Sequence, residues 1–266
     1  MKTKRFTFVS RSVLLAVLAA GLGASHASGQ FVILPNGNRI DGTDIRSRPN
    51  GEVILTTPQG QRTFARGQYA RAESARPAAM DRAAQLTQQG NHDEAIRLLE
   101  QVVNEHRFLT WDNNARVALA RVHTAKGDHA RAVTTYEELF RAAPEFLNES
   151  AAVWGFRNAL LEAKQFDRLG TELDQAVAGG SRTDAARAHV MRGDVKLAQG
   201  NVEGAVMDYL RSALLFEREA AVQPEALFKA GLGLERLRDP RAREMFQRVV
   251  QNHPNSPFAQ QARAKL

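Results

Sequence analysis

The residues best able to do chemistry in this sequence are its seven histidines: His26, His92, His106, His123, His129, His189 and His253. Imidazole can ligate a metal or move a proton near neutral pH, but a zinc site needs a second and third ligand at fixed spacing. No His-Glu-x-x-His pair and no Asp-x-Asp calcium loop occurs. His123 and His129 flank a turn and could share a metal only with an acidic neighbour that no spacing supplies, so packing histidines are the simpler reading. Cysteine is absent. Thiolate metal sites, cysteine nucleophiles, disulfides and cysteine-borne lipid anchors are therefore excluded.

The remaining candidates are equally bare. Gly231-Leu232-Gly233 lacks a third glycine and a preceding strand, so it is no dinucleotide fingerprint. Asp93-Glu94 and Glu137-Glu138 stand at adjacent positions of polar helix faces and read as surface charge. Asn148-Glu149-Ser150 matches a glycosylation sequon of only three residues. No set of residues offers nucleophile, base and oxyanion donor together. The chain reads as a non-enzyme with no catalytic, metal or cofactor-binding residues and no cofactor.

The order of the chain explains more. Lys2, Lys4, Arg5 and Arg11 precede the apolar run Val13–Leu22, and Ser25-His26-Ala27 follows. Basic, apolar and small-residue regions in that order read as a secretory signal peptide over residues 1–27. The run is too short for a membrane span of about 20 residues, and no later stretch is long enough. Without the leader, the formal charge of +7 falls to 32 basic against 29 acidic residues. Export without cysteine points to a bacterial periplasmic or secreted protein. Nucleic acid is then not an expected partner.

Residues 31–76 hold short β-prone runs separated by Pro35-Asn36-Gly37, Pro49-Asn50-Gly51 and Pro58-Gln59-Gly60. Proline pre-sets the first corner of a turn and glycine accepts the positive φ that closes it. The spacing predicts about four strands, near Phe31–Leu34, Arg39–Arg46, Glu52–Thr57 and Arg62–Ala65. Seven arginines against four acidic residues give this stretch all of the mature net charge. Arg39, Arg46, Arg48, Arg62 and Arg66 form its expected basic surface. So small a unit needs support from its neighbours or a partner. In size and hairpin count it is similar to the small SH3-like barrels attached to bacterial envelope proteins.

From residue 77 to 266 the period changes to that of helices. Gly90, Gly127, Lys164, Gly200 and Leu237 recur at intervals of 36 or 37 residues. Five residues after each come Ala95, Ala132, Leu169, Ala205 and Ala242, and four further on Leu99, Tyr136, Leu173, Tyr209 and Phe246. The anchor fits the turn between two antiparallel helices. The small residue permits close approach, and the large one fills the groove one turn later. Asp239-Pro240 has the chemistry of a helix start, and Pro144 and Pro254 mark two helix ends.

On these columns, above all Gly127-Asp128 with Ala132, Tyr136 and Pro144, and Gly200-Asn201 with Gly193, Ala205 and Tyr209, the stretch resembles the tetratricopeptide-repeat family. Repeat three departs from the pattern at Lys164 and Leu169. The period exceeds the family's usual one, placing extra residues near 107–113, 145–150, 179–183 and 217–222. The resemblance implies a mainly α fold: a solenoid of about five helical hairpins with a capping helix over Pro257–Leu266, preceded by the small antiparallel β module. That module is expected to cover the first repeat. The ending Asn252–Ala259 resembles repeats of bacterial envelope proteins of outer-membrane assembly and cell division.

The resemblance also implies a concave binding face, on which Asn114, Val117, Arg121, Val190, Asp194, Leu197, Leu227 and Leu234 fall. Packing between repeats is the competing role for several of them. The lysine and asparagine set with which some members clamp a C-terminal carboxylate is missing. The resulting expectation is a non-enzymatic protein-protein interaction scaffold of the bacterial cell envelope, with a protein or peptide partner. The alternatives are a ligand-binding protein whose basic β module contacts an anionic envelope polymer or glycan, and an accessory domain of an envelope enzyme or secretion assembly.

Overall fold

The computed structural model describes residues 29–266. The leader reading of residues 1–27 lies outside them. Six strands come first: β1 (Phe31–Ile33), β2 (Arg39–Asp41), β3 (Asp44–Ser47), β4 (Val53–Thr57), β5 (Gly60–Phe64) and β6 (Arg71–Glu73). They form two antiparallel three-stranded sheets, ordered β2-β1-β6 and β3-β4-β5. The three expected turns are present, with φ of +85° at Gly37, +85° at Gly51 and +120° at Gly60.

Two details differ from the four-strand expectation. The second run is divided, because the chain passes from one sheet to the other at Gly42-Thr43. The Gly42 N–H donates to the Gln30 carbonyl (2.9 Å) in the first sheet, and the Thr43 N–H to the Thr56 carbonyl (2.8 Å) in the second. A side chain at Gly42 would collide with Leu55 and the Thr56 carbonyl. The additional strand, β6, reads Arg-Ala-Glu and carries no apolar alternation; its pairing with β1 alone creates it.

Eleven α-helices follow among the described residues: α1 (Ala78–Gln88), α2 (His92–Glu105), α3 (Trp111–Lys126), α4 (His129–Ala142), α5 (Ser150–Glu162), α6 (Phe166–Gly179), α7 (Arg182–Ala198), α8 (Val202–Leu215), α9 (Gln223–Arg236), α10 (Arg241–Asn252) and α11 (Pro257–Arg263). They pack as consecutive hairpins. Each predicted small residue sits early in the second helix of a pair, and Leu99, Tyr136, Leu173, Tyr209 and Phe246 are buried one turn later. Glycine at the facing position makes room for the ring: a side chain at Gly193 would overlap Tyr209, and one at Gly231 would overlap Phe246.

The turn anchors are left-handed at Gly90, Gly127 and Gly200, and also at Lys164, where φ is +56°. In the fifth repeat the left-handed residue is Arg238 (φ +57°), while Leu237 is right-handed. This shifts the sequence-based anchor by one. The compensation is a tighter first turn, in which the Asp239 carboxylate accepts from the Arg241 N–H at 2.9 Å and its carbonyl from that of Ala242 at 3.1 Å. At the far end, α11 buries Ala259 and Ala262, and Phe258 packs on Phe228 with ring centroids 5.6 Å apart.

The β unit attaches most firmly to the turn between α2 and α3, so it rests on the junction of the first two repeats instead of simply covering the first. Leu109 leaves that turn and is buried in the β core with Val32, Ile45, Val53, Leu55, Phe64 and Ala72. Thr110 Oγ1 donates to the Ala72 carbonyl (2.9 Å), and Trp111 Nε1 to that of Ser74 (2.8 Å).

Candidate functional site

Recesses open along both helix layers, at α2 and α4 and at α6 and α8 among the second helices, and two along the first helices share one tryptophan. Between α5, α7 and α9 lies one of about 220 Å³, lined by Trp154, Asn158, Arg187, Met191, Asp194 and Glu225. A second, of about 350 Å³, opens between α5, the end of α6 and the start of α7, beside Ser150, Arg157, Gln175 and Asp184. Trp154 borders both. Its ring lies under two guanidinium groups, Arg157 at 4.6 Å and Arg187 at 5.9 Å from the centroid. Cations over an indole face gain from its quadrupole.

Trp154 is fixed by a hydrogen bond from Nε1 to the Asp184 carboxylate (2.9 Å). Asp184 is in turn the third residue of α7, locked in a reciprocal capping box with Ser181. Burial works to raise the Asp184 pKa, but hydrogen bonds from Ser181 and Trp154 outweigh it and hold the carboxyl below its ordinary value. Arg157 is only 8% exposed, and its one ionic contact among the described residues is a 3.5 Å approach to Glu172.

The other wall is a half-buried polar cluster joining three helices. Asp194 on α7 accepts from Tyr209 on α8 (2.8 Å) and from Lys229 on α9 (2.7 Å), and Lys229 also pairs with Glu225 at 2.7 Å. Burial raises the Asp194 pKa despite the neighbouring ammonium. For Lys229 burial works downward, yet Asp194 and Glu225 leave it above its ordinary value. With two carboxylates against one ammonium, the wall is acidic in its charge count.

The residues expected on the binding face divide. Asp194 lines the recess, Asn114 and Val117 are half-buried on α3, and Arg121 is exposed. Val190 lines the recess as well, although it is only 4% exposed and also belongs to the inter-helix core; Leu227 and Leu234 are buried in that core, and Leu197 packs against it. Leu197, Leu227 and Leu234 thus take the packing role that competed with binding, because their columns point between helix pairs. Trp154, Asn158, Arg187, Met191, Glu225 and Lys229 escaped the sequence reading. Trp154 and Asn158 belong to the degenerate third repeat, where the family pattern gave no register.

The expected basic β surface is mostly neutralised within itself. Arg39 pairs with Asp41 (2.8 Å), Arg46 with Asp44 (3.4 Å) and Arg48 with Glu52 (2.8 Å). Arg62 and Arg66 form no ion pair among the described residues and lie over Phe64 and Phe108. Two separate arginines make no track for an anionic polymer. The histidines pack: His106 Nδ1 lies 2.9 Å from Ser74 Oγ, His123 is buried, and His189 lies 5.7 Å from Phe216 between ring centroids. No group of three metal-ligating side chains occurs among the described residues.

Comparison with known proteins adds two matches to family models described as tetratricopeptide repeat, over residues 86–160 and 225–256. No curated protein matches the chain. Among solved structures, a putative kinesin light chain from Podosopora anserina with nearly identical TPR-like repeats superposes with a TM-score of 0.53 at 19% identity, covering 71% of this chain and 95% of that one. MamA from Desulfovibrio magneticus RS-1 gives 0.47 at 20% identity, covering 69% and 99%. YrrB, described as a TPR protein with an unusual peptide-binding site, gives 0.42 at 17%, covering 71% and 91%.

Proposed function

Starting from the fact that the chain belongs to the tetratricopeptide-repeat family, we propose that it is a non-enzymatic scaffold of the bacterial cell envelope that holds an extended segment of a partner protein against α5, α7 and α9. The observation that carries this reading is Trp154, half-buried between two recesses and flanked by Arg157 and Arg187. Tryptophan and arginine in a partly desolvated pocket dominate binding energy at protein interfaces. Apolar groups of the partner would rest on Trp154 and Met191. The exposed Asn158 amide and the Arg187 guanidinium are placed to bond its backbone and acidic side chains.

Export is supported by the basic, apolar and small-residue order of residues 1–27, and none of the described helices is long and apolar enough to cross a membrane. Two measurements test the two halves of the proposal. In a bacterial host, N-terminal sequencing should find the mature chain starting at Ser28; an intact Met1 terminus in the cytoplasm would remove the envelope assignment. A peptide selected on the purified protein should lose about tenfold in affinity with Trp154→Ala and also with the surface change Asn158→Arg. Equal binding by both variants would move the site elsewhere.

A further inference from the structure

The second helices of the repeats turn one face outward, and among the described residues four of the five carry no large apolar side chain there. At the position seven residues after the turn anchor stand Arg97 on α2, Thr134 on α4, Thr171 on α6 and Glu244 on α10, all exposed; on α8 it is Met207. Two helical turns later the series reads Asn104, Arg141, Ala178 and Gln251, again all exposed, against Leu214 on α8. Met207 is 54% exposed, Leu214 57% and the adjoining Leu215 64%. Residues seven apart lie on one stripe of a helix, so Met207 and Leu214 form a single apolar seam. No fold requirement explains it, because the other repeats close equally well without it.

The charges around the seam say what fits it. Glu203 stands on the first turn of α8, on the stripe, and Arg218 lies in the turn three residues past its end; both are exposed. Neither forms an ion pair among the described residues. Arg211, on the same stripe between Met207 and Leu214, is held by its own Asp208 at 2.8 Å. A two-fold axis crossing α8 between Leu210 and Arg211 sets Met207 against Leu214 of a second copy and Glu203 against its Arg218. Each contact then occurs twice, as an isologous interface requires. The register that joins the apolar residues is the one that pairs both free charges.

We infer that the outward face of α8 is a self-association surface, on which two copies of this chain pack α8 against α8 antiparallel. It lies on the opposite helix layer from the Trp154 site, so it can form whether or not a partner segment is bound there. A seam one helix wide falls in the small-interface class, for which a dissociation constant of about 10–100 μM is expected.

Sedimentation equilibrium of the purified protein over about 1–500 μM tests this. The weight-average mass should rise from one copy to two, and Leu214→Glu, an exposed change checked for folding by circular dichroism, should hold it at one copy. Glu203→Arg should weaken the dimer about fivefold by setting like charges together, and adding Arg218→Glu to the same chain should restore it. A single-copy mass at every concentration overturns the inference, including the case in which the stripe instead binds another protein. A dimer indifferent to Leu214→Glu overturns it too. A charge-reversed double variant no tighter than Glu203→Arg overturns the antiparallel register.

Discussion

The β unit and the helical region hold themselves together in opposite ways. Buried side chains of the helical region fall into three clusters, each assembled from neighbouring repeats or from the last repeats and their cap. Stability there is a sum of local interfaces, as in other stacked-repeat architectures. The β unit has six buried apolar residues of its own in one cluster, and a seventh, Leu109, arrives from the turn between α2 and α3. That turn holds Phe108 at φ +65° and Thr110 at +71°. Each non-glycine residue in this region costs about 1–2 kcal/mol. Burial of the Leu109 side chain, worth about 2 kcal/mol, and the Thr110 and Trp111 hydrogen bonds to β6 and the Ser74 carbonyl offset it. A unit too small for a full core has borrowed one side chain from the solenoid, whereas each repeat borrows from both neighbours.

The largest effect should therefore follow from Leu109→Ala. Deleting a fully buried leucine costs about 3 kcal/mol or more. Amide exchange should accelerate by about 100-fold in β1, β4 and β6, while α7 to α10 stay protected. Uniform acceleration in both regions would show that the β unit and solenoid unfold as one and break the contrast. Next comes Gly193→Val, which drives a branched side chain into the buried Tyr209 ring. Overpacking of this kind costs about 2 kcal/mol. Exchange should speed up in α7 and α8 and leave the β strands unchanged; acceleration of the strands would extend the coupling along the whole chain. Smaller again is Trp111→Phe, which keeps an aromatic ring beneath Arg76 but deletes the donor to the Ser74 carbonyl. About 1 kcal/mol should disappear from β-strand protection alone.

How far the sequence revealed each part follows from the same contrast. Helical hairpins were legible because a repeat states its packing several times: an alanine or leucine, then Leu99, Tyr136, Leu173, Tyr209 or Phe246, in register. The turns of the β unit were legible from Pro-Asn-Gly and Pro-Gln-Gly. β6 was hidden, since Arg-Ala-Glu becomes a strand only through its neighbour, and Leu109 was hidden because its partners lie more than thirty residues earlier in the chain. At the candidate site, the column that holds Val190 and Asp194 leads to the recess between α5, α7 and α9. Leu227 and Leu234 lie in the core instead, because columns report distance from a turn and not which side of a helix a neighbour covers. Trp154 depends on Asp184, thirty residues on, and on arginines from two helices, a relation no local pattern contains.

The smallest change should come from pH, and its sign follows from where the histidines sit. His106 lies at the β junction, and His123, His189 and His253 lie in the helical region. Burial is the leading cause that holds each of the four below the ordinary imidazole value of 6.5. The unfolded chain therefore takes up protons more readily than the folded one. Stability present above pH 6.5 is lost as pH falls below that value and toward the folded-state pKa of each ring. Asp208, though burial works to raise it, is held below the ordinary carboxylate value by Lys196 and Arg211, so it stays ionised through this window. Asp194, raised by burial, acts in the opposite sense, and protonating it in the folded state offsets part of the loss. With three such histidines against one, the helical region should lose more than the junction. Calorimetry at pH 7.5 and 5.5 should show a lower melting temperature at the acid value, and amide exchange at matched intrinsic rates should show α3 and α7 loosening more than β1 and β6. A melting temperature that rises on acidification would mean that Asp194 outweighs the buried imidazoles. Loosening confined to the strands would mean that the Ser74–His106 contact holds the two regions together more tightly than the Leu109 side chain does.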